Sequence, residues 1–189
     1  MRRPDEMMDA VATGMRERTG RTLEEWVAVV EASGLDSLDQ LAVRRWLKTE
    51  HGVPQNSQWA IADAVARAAG WERPTVQQYI DGQYTGPKAH LRPIYDRLAE
   101  VILALGDDID VEGRSTYTSF VRGRQFAVVA PSTRTRVDLG LRFTDPPAGD
   151  RCQRTTSIGQ ATHRVPLTSV DQVDGELEGL IRLAYDQNA

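Results

Sequence analysis

Apolar residues recur at helical spacing through the first 82 positions. Met8, Val11 and Met15 predict a short helix over 7–15 that stops before Gly20. Thr22 with Glu25 has the spacing of a capping box, and Leu23, Trp26, Val27 and Val30 give the helix that follows an inward stripe up to Gly34. Ser37 with Gln40 repeats the signal ahead of Leu38, Leu41, Val43, Trp46 and Leu47, and Gly52 and Pro54 end that third helix. A fourth runs from about Ser57 to Gly70 on Trp59, Ile61, Ala62 and Val65, and Pro74 opens a short fifth through Val76, Tyr79 and Ile80.

Beyond Gly82, Gly86 and Pro87 the texture changes. A sixth helix, Leu91 to Leu105, places Leu91, Ile94, Leu98, Val101 and Ile102 on one face, with Pro93 in its first turn. The period then shortens to two: Arg114 to Val121, a tight hairpin at Arg122-Gly123-Arg124, Gln125 to Ala130, and Thr133 to Phe143 read as an antiparallel meander. Residues 144–162, with Pro146, Pro147, Gly149 and Gly159, predict a loop or covering flap, after which His163 to Leu167 returns as a strand. Ser169 with Gln172 forms a third capping pattern before a last helix striped by Val173, Leu177, Ile181 and Ala184. The expected architecture is α+β: an all-helical segment over 1–86, then over 87–189 a two-layer antiparallel sheet with flanking helices.

Composition narrows the function classes. No apolar run approaches the roughly 20 residues of a membrane-spanning helix. Arg2 and Arg3 are followed by Asp5 and Glu6 rather than an export signal, so a cytoplasmic location is expected, without a membrane partner. Cys152 is the sole cysteine, so neither a disulfide within the chain nor a thiolate zinc cluster is available. The three histidines are scattered and no glycine-rich phosphate loop follows a strand, so neither a metal nor a cofactor is assigned. Cys152 with His163 lacks the third, orienting residue of a nucleophilic pair, and no catalytic residue is assigned.

The net charge of −4 hides an uneven distribution. Residues 114–164 carry nine arginines against Asp138, Asp145 and Asp150, a local net of +6. Alternation along the strand near Arg136 puts Val137, Leu139, Leu141 and Phe143 on one face and Arg136, Asp138, Gly140 and Arg142 on the other. With Arg114, Arg134 and the hairpin pair Arg122 and Arg124, these outline a basic sheet face able to meet phosphates. The plainer reading is a charged, solvated face whose arginines pair with nearby acids. Lys88, His90 and Arg92 crowd the start of the sixth helix; if the fold brings them to His163 and Arg164, they define a pocket. In the helical segment Trp26, Trp46, Trp59 and Trp71 read as one core anchor per helix, with a groove for a partner helix as the alternative. Arg44, Arg45 and Lys48 lie near a turn that resembles a helix-turn-helix but is too long for one.

TGRTLEEWV (19–27) and RRWLKTEHGV (44–53) resemble one bacterial family of domains of unknown function. KAHLRPIYDRL (88–98), TRVDLGLRF (135–143) and THRVPLTSVDQVDGEL (162–177) resemble a second, which often follows the first. The C-terminal layout is also similar to the MmcQ/YjbR-like proteins, which implies a fold and a proposed DNA-binding role rather than a chemistry. The expectation is a non-catalytic protein whose basic face and hairpin receive an anionic partner, nucleic acid ahead of a small anionic ligand. The alternatives are an enzyme with a pocket around His90 and His163, acting on a small phosphorylated or carboxylate substrate, and a protein-interaction adaptor built on the helical segment.

Overall fold

The computed structural model describes residues 14–189. The helix expected over 7–15 lies outside them except for its end, where Met15 begins a single turn, α1 (Met15–Thr19). The described residues form two compact units, divided between Arg73 and Pro74.

The first unit adds α2 (Leu23–Ala32), α3 (Gln40–His51) and α4 (Gln55–Ala68). The capping box at Thr22 forms as its spacing requires: the hydroxyl accepts from the Glu25 amide at 3.2 Å, and the Glu25 carboxylate accepts from the Thr22 amide at 2.8 Å. Helix α3 departs from expectation. Its cap is Asp39 rather than Ser37, with Oδ1 accepting from the Ala42 amide, so Leu38 stays outside the helix and exposed, as is Leu41. Val43 and Leu47 face inward instead, against Met15, Trp26, Val30, Ile61 and Val65. Trp59 is likewise no core anchor: it is 44% exposed, because Ala60, Ile61 and Val65 take the inner side of α4, and the Arg44 guanidinium covers its ring at 3.5 Å from the centroid.

The second unit begins with α5 (Val76–Gln83), whose capping box of Thr75 and Gln78 the periodicity did not signal. A 3₁₀ turn (Gly86–Leu91) leads into α6 (Arg92–Leu103), with Pro93 in the first turn. Six strands follow: β1 (Asp110–Gly113), β2 (Thr118–Arg122), β3 (Arg124–Ala130), β4 (Val137–Leu141), β5 (Gln153–Arg154) and β6 (His163–Leu167). They form one antiparallel sheet in the order β1-β2-β3-β4-β6-β5. Gly123, at φ +61°, makes the β2–β3 turn, a backbone conformation that other residues adopt only at a cost. The final helix, α7 (Gly175–Asp186), is capped by Asp174, which accepts from the Leu177 amide. The Ser169–Gln172 box does form, but on a separate 3₁₀ turn (Val170–Gln172).

Helices α6 and α7 cover one sheet face. Leu98, Ile102, Leu177 and Ile181 bury Phe120, Phe126, Leu139 and Leu141 there, all at 0% exposure. The 144–162 segment covers part of the opposite face, where Ile158 and Ala161 pack on Val128 and Ala130. That close approach requires Gly140: a Cβ at this position would lie 2.6 Å from Val128 Cγ1 and 2.7 Å from Ala161 Cβ.

Candidate functional site

The face away from the helices carries a cleft of about 720 Å³. Its floor is set by strand register. Arg136 and Asp138 are two residues apart in and beside β4, and Asp138 pairs with Pro166, two residues from Arg164 on β6, so all three side chains share the face turned from the core. Asp138 is 1% exposed. Arg136 Nη2 donates to its Oδ2 at 3.1 Å, Arg136 Nε stands 2.8 Å from Oδ1 as an ion pair out of line for a hydrogen bond, and Arg164 Nη1 lies 3.7 Å from Oδ2. One buried carboxylate thus holds two guanidinium groups that are each about one-third exposed.

Three connections wall the cleft. Gln83 and Lys88 come from the α5–3₁₀ segment, Ser115 to Tyr117 from the β1–β2 turn, and Pro131, Ser132 and Arg134 from the β3–β4 connection. Ser157 and Ile158 close the flap side. Lys88 Nζ donates to the Pro131 carbonyl at 2.6 Å, which pins the 3₁₀ turn to the end of β3. Gln83 Nε2 donates to the Arg114 carbonyl at 2.8 Å and to Thr118 Oγ1 at 3.3 Å, while its Oε1 is buried with no hydrogen-bond partner among the described residues. Four cations, Lys88, Arg134, Arg136 and Arg164, therefore line one cleft against a single carboxylate.

The remaining candidates do not join them. Arg114 pairs with Glu112 at 2.8 Å. Arg122 Nε donates to Asp108 Oδ2 at 2.6 Å and the guanidinium lies over the Tyr185 ring, 4.0 Å from its centroid. Arg92 bridges Asp81 and Asp96, each at 2.7 Å, and Arg142 donates to Gln160 Oε1 at 2.6 Å. Arg124 is exposed at the hairpin. The sheet thus does not present one continuous row of open guanidinium groups: Glu112 and Asp108 at its margin hold Arg114 and Arg122, and Arg142 is engaged by Gln160.

Nor are the two histidines brought together. His90 is exposed on the 3₁₀ turn, whereas His163 pairs in register with Leu141, at the end of β4 away from Asp138. His163 turns to the core side and packs edge-on against Phe143, with Nδ1 at 2.9 Å from Thr162 Oγ1. Neither lines the cleft. Burial, with a smaller contribution from Arg154, holds the His163 imidazole below its ordinary value. Its neutral form is favoured in the folded state, so the stability it contributes is present above the unfolded value of about 6.5 and is lost as pH falls through the lower folded value. Urea unfolding at pH 7.5 and 5.5 is expected to show a stability loss that His163→Gln reduces; an unchanged pH dependence in the variant would refute this.

Residues 80–188 match the family described as domain of unknown function DUF5655. The chain belongs to that family. Residues 8–67 match a second, domain of unknown function DUF4287, so the two families cover the chain in that order. No curated protein and no solved structure matches it. The cleft lies wholly within the DUF5655 match. Among the described residues no helix is long and apolar enough to cross a membrane, and no cluster of three acidic, histidine or cysteine side chains stands ready for a metal. Sequence reasoning reached Lys88, Arg134, Arg136 and Arg164 but passed over Gln83, Tyr117 and the role of Asp138. The signal for Asp138 was its same-face spacing from Arg136.

Proposed function

We propose that the DUF5655 unit is a non-catalytic binding module for an anionic partner, received in the cleft over β4 and β6 rather than along the whole sheet. The supporting observation is the convergence of Lys88, Arg134, Arg136 and Arg164 on one concavity while Arg92, Arg114 and Arg122 are already paired with carboxylates. Arg136 and Arg164 share the one carboxylate of Asp138, and Lys88 and Arg134 pair with none among the described residues, so the cleft keeps an excess of positive charge for an added anion. Asp138 contributes by orienting two guanidinium forks before any ligand arrives, which reduces the ordering cost of binding.

The test is a titration of the full chain with inorganic pyrophosphate and with fluorescein-labelled single-stranded and duplex DNA and RNA, each at two salt concentrations. Binding is expected to weaken by more than about tenfold as salt is raised from roughly 50 to 300 mM. Arg134→Ala is expected to weaken it further, whereas Arg122→Ala leaves it unchanged. Absence of salt-sensitive binding to every probe would overturn the proposal.

A further inference from the structure

We infer that the occupant of this cleft is a nucleoside phosphate, a compact ligand with one phosphorylated end, rather than a polymer. The inference rests on the anion-binding reading above and adds the ligand class. The cleft is far larger than a phosphate needs: about 720 Å³ is within the range of sites that enclose whole small molecules. Its lining also combines several chemistries. The four cations supply a phosphate subsite on and beside the β4–β6 floor. Tyr117, Pro131 and Ile158 supply an apolar wall, of which Tyr117 and Ile158 belong to the cluster that packs the flap on the sheet. Ser115, Thr116, Ser132 and Ser157 on the same lining offer hydroxyl groups suited to a sugar.

Two further observations favour a single small molecule. Gln83, one of the lining residues, is 5% exposed and held through Nε2, and its buried Oε1 has no hydrogen-bond partner among the described residues; an unmet acceptor beside the cleft would gain from a donor such as a sugar hydroxyl or an exocyclic amine if the carboxamide shifts toward the ligand. The cleft is also bounded on several sides by the 3₁₀ turn, the β1–β2 turn, the β3–β4 connection and the flap. A polymer backbone needs a track of cations leaving the site, and the nearby Arg92 and Arg114 are instead paired with Asp81, Asp96 and Glu112. Lys88 and Arg134, on the same lining, have no carboxylate partner among the described residues.

The experiment is calorimetric titration of the full chain with inorganic phosphate, with each of four nucleoside 5′-monophosphates, and with single-stranded oligonucleotides of increasing length. At least one monophosphate is expected to bind about tenfold or more tightly than inorganic phosphate, since base stacking and sugar hydrogen bonds add to the phosphate contacts. Tyr117→Leu, which keeps apolar bulk beneath the flap, is expected to lower monophosphate affinity by more than it lowers phosphate affinity, removing most of that advantage; Arg134→Ala is expected to weaken both. Equal affinity for phosphate and every monophosphate would overturn the nucleoside inference and leave the anion reading standing. Affinity that rises with oligonucleotide length would overturn it in favour of a polymer. Binding of none of these probes would overturn both.

Discussion

Phe126→Ala is expected to lower the unfolding free energy by about 4 kcal/mol, the range for removing a large aromatic side chain from a close-packed core. Phe126 is fully buried on β3. Its ring meets Tyr185 of α7 edge-on, with centroids 5.5 Å apart at 77°, so it joins the middle of the sheet to the last helix. Few neighbours can collapse into the space it leaves, because Phe120, Leu139 and Leu141 are held in the same sheet by strand pairing. Urea unfolding followed by far-ultraviolet circular dichroism measures the effect, and a loss below about 1 kcal/mol would show that this contact does not anchor the core.

Asp138→Ala is expected to cost about 2–3 kcal/mol. The carboxylate is buried and is the counter-charge to Arg136 and Arg164. Removing one partner of such a set leaves charge without compensation, and the figure stays at the lower end because both guanidinium groups retain access to water. Asp138→Asn is expected to cost less, since the amide oxygen still accepts from Arg136. The variant also has a diagnostic response: added phosphate is expected to recover more stability in Asp138→Ala than in the native chain, because it replaces the missing anion. Equal stabilisation of the two would show that these guanidinium groups are closed to ligand.

The His163 titration and the salt dependence of anion binding examine different ends of β4, and each succeeds or fails without the other.

Much of the architecture is legible in local pattern. The period-two run, the tight turn at Gly123 and the His163–Leu167 strand correspond to real elements, because alternation and turn conformation depend on neighbouring residues alone. The capping box at Thr22 is legible for the same reason. The short strand β1 was not, since its residues Asp110 and Glu112 carry charge and it is defined by its pairing with β2. Ser37 carried the right signal but Asp39, two residues on, took the cap.

The candidate site divides along the same line. Amino-acid order alone decides that residues 114–164 are rich in arginine and that Arg136 and Asp138 share a face of their strand. Which arginines remain open is decided by contacts between residues far apart in the chain: Asp108 with Arg122, Asp81 with Arg92, and Asp138 with Arg164. Charge composition is additive along a chain, whereas neutralisation and the shape of a cleft depend on distances of a few ångströms that only folding sets.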